Sequence, residues 1–127
     1  MDLQCKFSGS SPVYVQIMEH IRSAVMAGEY APGGRIPPVR ELAAQAQVNP
    51  NTMQRALLEL EREGLLVTQG TMGRFVTNDP VVLEAIRQNA VDKLIRSCAK
   101  QFKAMGITMA QAVALLQKLE QEEMENE

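Results

Sequence analysis

Apolar side chains recur along this chain in two rhythms, and the breaks between them divide it into elements. Tyr14, Ile17, Ile21, Ala24 and Val25 are spaced by threes and fours, one face of a helix. Pro12 suits its first turn and Ser11 its N-cap, while Gly28 and the APGG run at 31–34 end it. Val39, Leu42, Ala43 and Ala46 make the buried side of a shorter helix. Pro37 and Pro38 hold its approach extended, since the residue before a proline is pushed out of the α region. After the polar break VNPN at 48–51, Asn49 caps a third helix with Pro50 at its first position. Its core face is Met53, Ala56, Leu57 and Leu60, and Gly64 stops it. The rhythm then changes to alternation. LLVTQ (65–69) and RFVT (74–77) predict two short strands around a GTMG turn, where Gly70 and Gly73 permit positive φ.

Asp79 and Pro80 open a long helix over about residues 80–105, roughly 39 Å at 1.5 Å per residue. Gly106 breaks it, and Thr108 with Gln111 forms a capping box for a final helix through Val113, Leu116 and Leu119. The acidic end, EQEEMENE, opposes the helix macrodipole and is expected to fray. Residues 1–11 lack periodicity and read as a flexible arm.

Helix, tight turn, helix and hairpin in that order predict a winged helix-turn-helix, a mainly α fold with a small β-hairpin. In that fold the second helix of the pair enters the major groove of DNA. Residues 1–78 are read as the DNA-binding domain and 79–127 as a two-helix dimerisation region with an acidic tail. Asn51, Thr52, Gln54 and Arg55 crowd the exposed first turns of the third helix, where bases are read. Arginine pairs with guanine, Asn and Gln with adenine, and Thr touches a thymine methyl. Arg40 is expected at a phosphate or base edge, and Arg74, beside the turn, at a phosphate or the minor groove. Glu59, Glu61 and Glu63 would be repelled by phosphates, so that end of the helix should tilt away.

The long helix carries Val91, Leu94, Ile95, Cys98, Phe102 and Met105 on one stripe. The final helix can cover part of it or all of it. Two helices of this size make a poor core alone. A two-fold dimer through residues 80–120 is therefore expected, with Leu94 and Phe102 near its centre.

Charge refines this picture. The 127 residues carry a net −2, and residues 1–78 balance seven basic against seven acidic side chains. DNA contact must then come from a local patch of Arg35, Arg40, Arg55 and Arg74, not from a global field. Pairing of that patch with carboxylates would favour a different class, a winged helix kept as a protein-interaction module. Cys5 and Cys98 lack metal-ligand spacing and read as thiols, Cys5 exposed and Cys98 in the core. With a single histidine, His20, and neither a nucleophile elbow nor a phosphate-binding glycine loop, no enzyme, cofactor or metal site is expected. No run reaches the ~18–20 apolar residues of a membrane span, which points to a cytoplasmic protein without a membrane partner. No polar cluster in 80–127 points to a small-molecule effector, and that question stays open.

The residues from Tyr14 to Val76 resemble the DNA-binding domain of the GntR family of bacterial transcription regulators. The resemblance lies in Gly28, Pro32 and Gly33, in RIPPVRELA (35–43), VNPNTMQRAL (48–57) and LEREGLL (60–66), and in Gly73, Phe75 and Val76. With only two helices following, the chain looks most like the short YtrA branch. The resemblance implies DNA contact through Arg40, through Asn51, Thr52, Gln54 and Arg55, and through the wing tip at Thr71 and Gly73. It also implies a homodimeric repressor of a palindromic operator, in a transporter operon. Two departures stand out: Pro38 replaces a serine, and GTMGR replaces a basic G-K-G-T wing, leaving Met72 without charge.

Overall fold

The structure is a computed structural model that describes Phe7 and residues 9–126. Its elements are α1 (Val13–Met26), α2 (Val39–Ala46), α3 (Pro50–Arg62), β1 (Leu66–Thr68), β2 (Arg74–Val76), α4 (Pro80–Ala104) and α5 (Met109–Glu125). The chain divides into two compact units, the first ending at Arg87 and the second beginning at Gln88.

The first unit is built on α3. α1 and α2 both pack against it, and β1 follows it closely. Ile17, Ile21, Leu42, Met53, Leu57, Leu60, Leu65, Leu66 and Val76 are fully buried. The predicted core faces of α1, α2 and α3 supply six of these, so the helical spacing was a sound guide. Leu83 and Ile86 of α4 add partly buried contacts to the same core. Asn49 caps α3 through a bond from the Asn51 amide to its Oδ1 at 2.8 Å, and Pro50 follows at the first position. Asp79 likewise caps α4, accepting from the Val81 amide at 2.9 Å.

The turn between α2 and α3 holds a residue that no sequence pattern marked. Gln47 sits in the left-handed region at φ 56°, with its amide on the Ala44 carbonyl and that of Val48 on Ala43. This is a Schellman ending, where glycine is the usual occupant. The wing also differs from expectation. Two strands of three residues are marginal by themselves. Here residues 33–36 lie antiparallel to β2: the Gly33 amide donates to Val76 O (2.9 Å), Val76 to Gly34 O (2.8 Å) and Ile36 to Arg74 O (3.0 Å). Arg35 bridges Phe75 in the same pairing. The extended approach to α2 thus pairs with β2 through an isolated bridge and backs the two-stranded wing. Gly33 stands at φ 76°, and a Cβ there would lie 2.6 Å from Asn78 Oδ1.

Further expectations need correction. Ser11 does not cap α1. Pro12 occupies that position without a side-chain bond, and Ser11 instead offers its carbonyl to Gln16 Nε2 at 2.7 Å. The arm expected over 1–11 is not free at Phe7, which packs on the core and meets the His20 ring edge-on at 5.9 Å. Residues 1–6 and 8, Cys5 among them, lie outside the described residues. In the acidic tail α5 is helical as far as Glu125, in keeping with the high helix propensity of Glu, Gln and Met.

In the second unit α4 ends at Gly106 (φ 77°) in another Schellman pattern, and Thr108 and Gln111 form the capping box reciprocally. Ala112 is buried, whereas Leu94 is 64% exposed and Ile95 61%. Cys98, expected in the core, is exposed. α5 therefore does not cover the α4 stripe: Val91 and Met105 are exposed too, and Phe102 is half-buried. Among the described residues no helix is long and apolar enough to cross a membrane. The fold is mainly helical with one antiparallel hairpin, a winged helix-turn-helix followed by two helices.

Candidate nucleic-acid interface

The helical repeat gives α3 a core face, an outward face and two flanks. Met53, Ala56, Leu57 and Leu60 are buried, so Asn51, Arg55 and Leu58 point outward and are exposed. Arg55 does not hang free. Its guanidinium carbon lies 3.8 Å from the ring centroid of Tyr14, from the start of α1, a cation–π contact. Thr52 is half-buried on the flank beside it.

The opposite flank carries Gln54 and Glu61, two turns apart, against the wing. Glu61 Oε1 accepts from Arg74 Nε at 2.6 Å and from Thr68 Oγ1 at 2.5 Å, and Arg74 Nη2 donates to Gln54 Oε1 at 3.4 Å. Burial pushes the Glu61 carboxyl up, but the bonds from Thr68 and Arg74 and the arginine charge outweigh it and hold the group below its ordinary value. A carboxyl depressed in the folded state stabilises it fully above the unfolded pKa, and that contribution fades as pH falls through the lower folded value. Acid unfolding of the wild type should therefore have a component that Glu61→Gln removes. Parallel melts at pH 7 and below pH 4 check this: the two proteins should differ less in acid than at neutrality.

Arg35 arrives on the extended segment bridged to β2, and its Nε lies 3.0 Å from where a Cβ on Gly73 would stand. Gly73, at φ 117°, thus supplies room for that guanidinium as well as the turn. Arg40 is exposed in the first turn of α2, and Thr71 and Met72 are exposed at the wing tip. Arg35, Ile36, Pro37, Pro38, Thr68 and Gly73 line a shallow groove between the wing and the start of α2.

The residues singled out in the sequence fall into two groups. Arg35, Arg40, Asn51, Arg55 and Thr71 are exposed, while Thr52, Gln54, Gly73 and Arg74 are partly covered. Arg74, expected within reach of a phosphate or the minor groove, has its guanidinium paired with Glu61. The glutamates of α3 were expected to turn from phosphate, yet each has its own arginine. Glu59 pairs with Arg62 at 2.6 Å, and Glu63 takes Arg22 of α1 with two donors, Nε at 3.0 Å from Oε2. Among the described residues no carboxylate pairs with Arg35, Arg40 or Arg55. Internal pairing thus occupies the glutamates at the end of α3 and leaves Arg35, Arg40 and Arg55 outside the ion pairs of the described residues. Tyr14, Arg22, Glu61 and Thr68 were not foreseen as contributors. Only Glu59 with Arg62, one turn apart, carried a local signal. Among the described residues no group of three His, Cys, Asp or Glu could hold a metal.

Comparison with known proteins gives a consistent picture. The profile of the bacterial regulatory proteins, gntR family, matches residues 13–76. The HTH-type transcriptional regulator YhcF of Bacillus subtilis is 34% identical over 103 residues, 81% of this chain and 85% of that protein. The HTH-type transcriptional repressor YtrA of the same organism is 33% identical over 110 residues, 87% and 80% of the two chains. A GntR family transcriptional regulator from Listeria monocytogenes superposes with a TM-score of 0.79 at 31% identity, covering 88% of this chain and 98% of that one. The AraR DNA-binding domain in complex with operator ORX1 has a TM-score of 0.53 at 32% identity, covering 57% of this chain and 93% of that one.

Proposed function

The chain belongs to the gntR family of bacterial regulatory proteins, and from that premise we propose that it is a cytoplasmic, homodimeric repressor that binds a palindromic operator. One observation carries the DNA reading: among the described residues Arg35, Arg40 and Arg55 have no carboxylate partner, while the three glutamates at the end of α3 each have one. Asn51 and Arg55 face outward on the first turns of α3, the part of a recognition helix that meets base edges. Arg40 and Arg35 flank them as phosphate contacts. Binding of the operator by AraR, a relative over the winged helix, supports the same use of this surface. Repression is the activity named for YtrA, which the chain matches over most of both lengths.

The interaction-module reading required the arginine patch to be neutralised, and among the described residues only Arg74 meets that condition. Dimerisation is favoured by the apolar stripe on α4, exposed within one chain. Residues 79–127 act as the pairing region in this reading, and Val91, Leu94, Ile95, Cys98, Phe102 and Met105 contribute to the contact.

The test is a gel shift on the DNA immediately upstream of the protein's own gene, where a regulator of a transporter operon would act on itself. Three to five phosphate contacts per subunit should give a log–log salt slope of about −5 to −9 for the dimer, each neutralised phosphate contributing about −0.9. Binding indifferent to salt would return the interaction module to first place.

A further inference from the structure

We propose that Arg74 is a positioning residue that turns Gln54 into a donor-only reader, selecting guanine or thymine over adenine at one base pair of each half-site. The inference rests on the operator-binding reading above and adds to it the base chosen at one position.

A glutamine recognises adenine by using both ends of its amide: Oε1 accepts from N6 while Nε2 donates to N7. Here one end is already engaged. Arg74 Nη2 lies 3.4 Å from the Gln54 amide, and a guanidinium has donors and no acceptor. The atom facing it must be Oε1; that oxygen keeps a second lone pair but is directed at Arg74, so Nε2 with its two hydrogens is the end turned away from the guanidinium. The arrangement is held from behind. Glu61 Oε1 takes Arg74 Nε at 2.6 Å and Thr68 Oγ1 at 2.5 Å, tying α3 to β1 and β2 through one carboxylate oxygen. The Arg74 and Glu61 side chains are only 18% and 23% exposed, so neither swings freely in solvent. Gln54 is also half-buried against this flank, which limits the rotations that could free its carbonyl.

An amide presenting donors alone matches a base edge presenting acceptors alone. In the major groove those edges are guanine, with N7 and O6, and thymine, with O4. Adenine offers N7 but sets its N6 donor against the amide hydrogens, and cytosine offers only a donor. Gln54 therefore prefers guanine or thymine to adenine by about fivefold, the low end of the discrimination a well-placed side chain provides.

The experiment is selection of half-sites from a palindromic DNA with randomised arms, using full-length wild type, Gln54→Ala, Arg74→Met and Arg74→Lys, each checked by thermal melting. The position that loses its preference in Gln54→Ala is the one Gln54 reads. Wild type should select guanine or thymine there, Arg74→Met should move that position toward adenine, and Arg74→Lys, which keeps a donor, should restore the wild-type choice. Adenine at that position in wild type overturns the proposal, and so does a Gln54→Ala profile that flattens nowhere. Equal weakening on every sequence by Arg74→Met, with preference unchanged, makes Arg74 a phosphate contact and likewise overturns it. Should Arg74→Met fail to fold, Arg74→Gln takes its place with the same expected move toward adenine, and adenine at that position in wild type still overturns the proposal. Failure of wild type to select any sequence is a separate result, which removes the operator-binding reading itself.

Discussion

Leu94→Glu combined with Phe102→Glu should yield a monomer whose affinity for a palindromic site falls on the order of 10³-fold, the smallest usual gap between specific and non-specific binding. A single winged helix covers only a half-site, and full affinity comes from two copies about 34–36 Å apart on the duplex. Leu94 is 64% exposed in the chain, so a charge there disturbs little that the chain itself buries. Its cost falls on whatever covers it in the assembly, where an unpaired carboxylate would be buried. Ile95, at 61%, widens the same exposed strip. Phe102 is half-buried, so Leu94→Glu alone is the cleaner probe and the pair the stronger one. Sedimentation at micromolar concentration, thermal melting and a gel shift form the test. A double variant that melts like wild type yet stays dimeric would refute the interface. So would wild-type protein that sediments as a monomer but binds full sites tightly.

Arg55→Ala should weaken operator binding by about 1–3 kcal/mol and relax preference at one base pair per half-site, the size of a bidentate guanine contact. Arg55→Lys should recover little of this, because a lysine cannot present the planar fork. Tyr14 supports the arginine from one side at 3.8 Å. Losing that contact alone is worth only about 0.5–1 kcal/mol at an exposed site. The two effects separate on paired DNA probes: loss of the base contact changes the ratio between matched and mismatched sites, and loss of the stacking partner lowers both. Unchanged affinity and unchanged preference in Arg55→Ala would remove α3 from the groove.

The helices were legible because their signals are local. Asn49 followed by Pro50 and the run Met53, Ala56, Leu57, Leu60 define α3 within a dozen residues, and Thr108 with Gln111 does the same for the start of α5. What escaped the sequence is held by backbone or by distant partners. Gly33 to Ile36 shows no alternation, and its bonds to β2 are backbone bonds that leave no side-chain mark. Gln47 takes a left-handed conformation that glycine or asparagine would have announced. The exposure of Asn51 and Arg55 was legible from helical phase, since both must point away from Met53 and Leu57. The pairing of Arg74 was not legible because its partner, Glu61, is 13 residues away on another element, and a list of charges does not reveal which arginines are already occupied. For α4 the stripe could be read but its covering could not, since the same spacing serves an internal contact and an external one.

The bonds joining Gly33 and Gly34 to Val76 have a kinetic side. They close a loop of about forty residues that contains α2, α3 and the hairpin, so closure must wait until most of the first unit has been ordered. The wing should consequently form late in folding, with φ-values near zero at Phe75 and Val76 and higher ones in α1 and α3. Once made, the closure works in the other direction. An isolated hairpin would open many times before the helices did, whereas the Val76 and Gly33 amides should exchange hydrogen only when the whole unit unfolds.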